Sequence, residues 1–284
     1  MKACISHSIT LLILLFSVSL ISCNKSGIHD NFNTANNRVW IGENYWSIPM
    51  EDWQLKDGKV HSTGRKSNMR LNFLSHSLGK SGSIKLSIDM GISGDNSKAG
   101  RAGLELGLQD DTDNGYKSLC YFGLGMQVGI DPEGYMFIGD RQKNLPEGFD
   151  LSSMTLSITL TNNNGSRLVA TLSDSNKKQV SDFVERDTPI TGSIAAFNSI
   201  QKTPEDRGAS YWFDNIRING SALVSTPENK FGPVLWAMYT LSDNKLKLSA
   251  QMPPLGELDN KTVHLELRSD TQWERIATEV IIPD

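Results

Sequence analysis

The densest run of hard oxygen ligands in the chain is Asp110-Asp111-Thr112-Asp113-Asn114-Gly115. Carboxylates crowded into one turn suit Ca²⁺, a cation held by many oxygens at once. Set against an EF-hand loop, Gly115 falls on the turn glycine, but Thr112 stands at a ligand position and Tyr121 where the closing Glu belongs. An EF-hand is excluded. A lectin-type Ca²⁺ loop on Asp110, Asp111 and Asp113 stays open beside a plain solvated hairpin tip. The second candidate is aromatic. Trp40, Tyr45, Trp46 and Trp53 crowd into one short segment, and flat amphipathic rings can stack on sugar faces. Trp46 and Trp53 are the ligand candidates there, the alternative being that the rings plug the edge of a core. Trp212, Trp236 and Trp273 lie in strand-like runs and read as core.

Catalytic constellations are missing. No Gly-x-Ser-x-Gly elbow occurs, and Ser81-Gly82-Ser83 lacks its flanks. Gly123-Leu124-Gly125 lacks the third glycine and the following helix of a phosphate-binding loop. Glu105 has no carboxylate at 103 or 107, so a same-strand acid pair for glycoside cleavage is absent there. His29, His61, His76 and His264 are scattered and lack the spacing of a di-metal cluster. Of the three cysteines, Cys4 lies in an N-terminal leader, Cys23 ends it, and Cys120 is left alone between Leu119 and Tyr121. That count excludes a disulfide framework and a cysteine zinc site, and Cys120 reads as a small buried residue rather than a nucleophile. The net charge is −4 with both signs mixed, so nucleic acid is excluded as a partner. Ca²⁺ is the one cofactor candidate.

One chemical step is written into the N-terminus. Lys2 precedes an apolar run from Ile9 to Ile21, roughly 13 residues where a spanning helix needs ~20. A cation, a short apolar stretch and a small residue before the cut make a signal peptide. Leu20-Ile21-Ser22-Cys23 looks like a bacterial lipobox, in which the Cys23 sulfur takes the lipid. Two or more acyl chains, at roughly 0.8 kcal/mol per methylene, hold a protein on a membrane where one would be marginal. The expected location is the bacterial cell envelope, outside the cytoplasm and on the outer membrane, with the membrane itself as a partner.

The elements that must position these residues are strands. Ile84, Leu86, Ile88, Met90 and Ile92 alternate with Lys85, Ser87 and Asp89. Ala102 to Leu108 and Met154 to Leu160 repeat the pattern. A period of two with one polar face marks antiparallel strands packed on one side. Turn signals at Asp57-Gly58, Asn114-Gly115, Asp131-Pro132-Glu133-Gly134, Asn164-Gly165 and Asn219-Gly220 separate the runs. Further strands are expected near 52–55, 59–63, 69–75, 120–130, 135–139, 167–173, 193–198 and 210–218. Asn176 to Asp187 is the one helix candidate. So many half-apolar strands need two stacked sheets. The expected divisions are a leader at 1–22, a polar tether at 23–38, a sandwich at 39–220, a linker at 221–231 and a small β module at 232–284. Only three strands are expected in that module, at 245–251, 262–268 and 273–281, too few to close a sandwich.

Several stretches resemble the N-terminal, non-catalytic region of bacterial PhoD-type alkaline phosphatases. They are Trp40-Ile41-Gly42-Glu43-Asn44-Tyr45-Trp46, Asp52-Trp53-Gln54-Leu55, Tyr211-Trp212-Phe213-Asp214-Asn215-Ile216-Arg217-Ile218, Phe231-Gly232-Pro233-Val234-Leu235-Trp236 and Gln251-Met252-Pro253-Pro254-Leu255-Gly256. The resemblance implies an all-β chain: a concanavalin A/laminin-G-like jelly-roll sandwich, then an incomplete immunoglobulin-like module. The family's metal-binding motifs are absent; Gly139-Asp140 is followed by Arg141 and Gln142, and no Gly-Asn-His occurs. No catalytic residue carries over. The resemblance therefore implies a non-catalytic accessory region that binds a glycan or a downstream phosphatase domain. The rivals are a fragment of a metallophosphatase and a small glycan hydrolase on the sandwich itself.

Overall fold

The computed structural model describes residues 27–33, 36–63, 69–93, 100–110, 116–199 and 210–282. The signal peptide, Cys23, Asp111 and Asp113 lie outside them. In chain order the strands begin with β1 (Ile28–Asp30), β2 (Tyr45–Trp46), β3 (Trp53–Lys56) and β4 (Lys59–Ser62). The long strands β5 (Met69–Leu78), β6 (Gly82–Ser93) and β7 (Arg101–Gln109) follow, then helix α1 (Tyr116–Phe122). Next come β8 (Leu124–Asp131), β9 (Tyr135–Ile138), β10 (Arg141–Asn144), β11 (Met154–Asn162), β12 (Ser166–Asp174) and β13 (Gln179–Arg186). The sandwich is completed by β14 (Gly192–Ser199), β15 (Ser210–Gly220) and β16 (Leu223–Ser225).

The strands form two eight-stranded antiparallel sheets. The first runs β13-β12-β11-β6-β15-β4-β3, with β1 beside β15; the second runs β10-β9-β8-β7-β14-β5-β16, with β2 beside β5. The alternation explains the stacking. Along β6 and β11 the residues at even spacing, Ile88, Met90, Leu156 and Ile158 among them, are buried, and Asp89 and Thr155 face outward. Met154 pairs with Met90 and Ile158 with Leu86, so one apolar row continues into the next strand. Leu104 and Val128 supply the facing rows from the second sheet and are fully buried. Burying a row of such side chains contributes roughly 1.5–3 kcal/mol per residue, which drives the two sheets together. The fold is an all-β antiparallel sandwich.

Local expectations fail in instructive places. The strand expected to start at 120 begins at Leu124, because 116–122 coil into α1. Gly123 ends that helix: its N–H reaches the Leu119 carbonyl at 2.9 Å, and a Cβ at 123 would stand 2.3 Å from that oxygen. The 176–187 helix candidate is instead strand β13. Val180 and Val184 satisfy a period of two as well as a helical one, and pairing with Leu172 and Leu168 selects the strand. Phe183 faces out beneath the Arg167 guanidinium, 4.3 Å from its ring centroid. Ile28–Asp30, expected in the tether, pair with β15, and the expected linker contributes β16 to the second sheet.

Beyond the sandwich, among the described residues, β17 (Trp236–Ser242) pairs only with β18 (Lys245–Gln251), and β19 (Thr262–Ser269) only with β20 (Gln272–Val280). β17 was not expected. Trp236 and Trp273, expected in a core, are 49% and 64% exposed. Each hairpin is two strands wide, so neither has a second layer to bury its rings. The connecting segments do dock. Leu258 N–H donates to Asn36 Oδ1 at 3.0 Å, Arg38 pairs with Asp259, and Phe231 packs edge-on against Trp46 at 4.4 Å.

Candidate functional site

A groove of about 310 Å³ opens on the outer face of the first sheet, where β4, β15, β6, β11 and β12 run side by side. Its floor holds Asp89 from β6 and Asp214 from β15, which are direct partners across the two strands. Like charges in that position destabilise a sheet. Here the side-chain amide of Asn215 bridges them, donating to Asp89 Oδ2 at 2.9 Å and to Asp214 Oδ2 at 3.2 Å. The bridge depends on the backbone. β15 shifts register between Asp214 and Arg217, and Asn215 sits in the bulge at φ 49°. A bulge re-aims side chains, and Asn tolerates the left-handed region better than most residues. Phe213 and Ile216 remain in the core on either side. The short Phe-Asp-Asn-Ile sequence thus turns one strand's polar residues into a groove floor.

Burial pushes the Asp214 carboxyl above the ordinary carboxylate range, and the Asp89 charge adds to the rise, against the backbone N–H of Asn215 and the Lys59 ammonium. Thr155 donates its hydroxyl to Asp89 Oδ1 at 2.6 Å. The wall opposite is Trp212. Its indole lies over Gly91, with Nε1 donating to the Ser152 carbonyl at 3.2 Å. A Cβ at Gly91 would meet that carbonyl oxygen at 2.0 Å and Trp212 Nε1 at 2.6 Å, so only glycine leaves room. Ser153 and Ser175 line the rim. Asp150 orders it by accepting from the Ser152 hydroxyl at 2.6 Å and the Ser175 hydroxyl at 2.8 Å, and those bonds hold its carboxyl below the usual range.

The arrangement suits binding better than bond cleavage. Retaining glycosidases leave an open gap of about 5–5.5 Å between two carboxyls for the glycosidic linkage. In this groove the Asn215 amide fills that gap. What remains is a mixed row of hydroxyls, carboxylates and one ammonium beside an aromatic face, able to donate to and accept from a polyol.

The residues singled out from the sequence lie elsewhere. Trp53 is 0% exposed and packs on Phe213 at 5.8 Å, so it is a core residue that no ligand reaches. Trp46 is half-buried under Phe231. Asp110 is half-buried and accepts from the Ser118 hydroxyl; among the described residues no group of three or more metal-binding side chains occurs. Burial pushes the Cys120 thiol up to about 12, only partly offset by Arg70, which makes it a poor nucleophile at neutral pH. Conversely, Trp212 is no core residue, and Asp89 looked like one more outward residue of an alternating strand. The signal that could have found the site is an Asp-Asn pair set between core residues of one strand, a spacing that calls for a bulge.

No protein-family model matches the chain, and no curated protein matches it. Solved structures do. Arcelin-5, a lectin-like defence protein from Phaseolus vulgaris, is 11% identical, with 69% of this chain and 98% of that one covered at a TM-score of 0.44. A seed lectin of Lotus tetragonolobus is 11% identical, covering 69% and 94% at a TM-score of 0.42. A GH43 protein from Bacillus licheniformis is 15% identical, covering 68% of this chain and 39% of that one at a TM-score of 0.44. These neighbours are lectin- or concanavalin-like sandwiches.

Proposed function

We propose that this chain is a lipid-anchored, non-catalytic binding module of the bacterial cell envelope that holds a neutral saccharide in the groove of the first sheet. The observation that carries the reading is the facing pair Asp89 and Asp214. Two carboxylates set opposite each other, bridged by an amide from a bulge, break the local rules of a sheet, and such breaks concentrate at functional sites. Trp212 beside them supplies the flat face and the rim hydroxyls supply partners. With Asp89 and Asp214 against the single ammonium of Lys59, the floor is net negative, which favours neutral over acidic glycans. Lipidation at Cys23 would place the module on the outer membrane. The resemblance to the N-terminal region of PhoD-type phosphatases supports an accessory role beside a metallophosphatase domain.

The test is calorimetric titration of the detergent-solubilised full chain with cellohexaose, mannohexaose, N-acetylchitohexaose and an oligouronate. Saturable binding of at least one neutral hexasaccharide is expected, with no binding by Trp212→Ala. Binding confined to the oligouronate, or retained without the Trp212 ring, would overturn the assignment.

A further inference from the structure

The aromatic wall of the groove is already occupied. Lys59 Nζ stands 3.6 Å from the centroid of the Trp212 ring. The indole Nε1 reaches over Gly91, where a Cβ would stand 2.6 Å from it, and donates to the Ser152 carbonyl. Lys59 therefore covers the face on which a sugar ring could stack. Among the described residues its ammonium has no ion-pair partner, and the contact with Trp212 is what holds it. It starts β4 directly after the Asp57-Gly58 turn, at the turn end of the β3–β4 hairpin and opposite Lys56.

We infer that Lys59 is a gate on the Trp212 platform: a neutral saccharide stacks there only after the ammonium swings off the ring. This rests on the groove being the saccharide site. The displaced ammonium has a place to go. Asp214 lies close enough for the Lys59 charge to act on its carboxyl, so turning from the ring towards the floor exchanges one weak attraction for another. The gate is therefore light, and it costs affinity rather than forbidding binding. It also sets specificity, because a ligand must offer enough flat apolar surface to replace the cation.

The same titration tests it, with the best neutral hexasaccharide as probe. Lys59→Ala bares the ring and should tighten binding two- to five-fold, the equivalent of the ~0.5–1 kcal/mol of an exposed cation–π contact. Lys59→Arg puts a planar cation on the indole, which stacks better, and should weaken binding. Circular dichroism confirms that both variants keep the sheets. Weaker binding by Lys59→Ala would make Lys59 a ligand contact and overturn the gate. Unchanged binding by both variants would overturn it as well, while leaving the groove assignment standing if Trp212→Ala still abolishes binding. No binding by wild type or either variant would sink the groove assignment and the gate together.

Discussion

Replacing Asn215 should separate two contributions that the bulge in β15 combines. The side-chain amide makes two hydrogen bonds to carboxylates, at 2.9 and 3.2 Å. Hydrogen bonds to charged groups contribute about 1.5–3 kcal/mol each when dry. The groove is half open, so a combined loss of about 2 kcal/mol is expected. The backbone at φ 49° adds a second contribution: a side chain that cannot bond locally pays about 1–2 kcal/mol there. Asn215→Ala loses both and should destabilise the sandwich by about 3–4 kcal/mol. Asn215→Gly loses the bridge but relaxes the backbone, and should cost about 1 kcal/mol less than Ala. Urea unfolding at neutral pH, followed by the fluorescence of buried tryptophans such as Trp53, measures both. Adding Asp89→Asn to the Gly variant should restore part of the loss, because the unbridged charges no longer face each other. Equal destabilisation by Ala and Gly, or a loss below about 0.5 kcal/mol for either, would refute the account of the bulge.

Three other outcomes are expected. Glu105 on the outer face of the second sheet accepts from Arg70 at 2.7 and 3.0 Å, Gly125 N–H at 3.0 Å and Gln127 at 3.2 Å, and both charges are buried. Arg70→Met alone should cost about 3–5 kcal/mol, and Arg70→Met with Glu105→Leu much less than the two single losses added, as a double-mutant cycle will measure. Asp214 has its carboxyl raised in the fold, so its favourable contribution is complete below the unfolded value and is lost as pH rises through the folded one. Asp214→Asn should therefore flatten the fall in stability over the interval just above the ordinary carboxyl range, read as urea midpoints across acidic pH. Cys23→Ser should move the protein from the detergent phase to the aqueous phase in a cloud-point partition, and an unchanged distribution would end the lipoprotein assignment.

The strand periodicities of β6, β7 and β11 were legible because a half-buried strand needs alternating polarity, whatever it packs against. α1 was not legible: Leu119-Cys120-Tyr121-Phe122 carries the composition of a strand, yet it coils into the helix. β13 was misread because Val180 and Val184 suit both periods. Trp236 and Trp273 misled in another way, since a strand-like pattern says which face is apolar but not whether another layer covers it.

The site followed the same division. Residue order alone determined that the chain is built of antiparallel strands and that the nucleophile-elbow, phosphate-loop and di-metal spacings are missing from it. These are local properties, set by side-chain chemistry over a few neighbouring residues. Only the tertiary structure decided that Asp89 faces Asp214 across 125 residues of chain, that Trp212 lies on the groove rather than in the core, and that Lys59 covers it. Strand order and register set those neighbours, and they follow from how two whole sheets bury their apolar rows together.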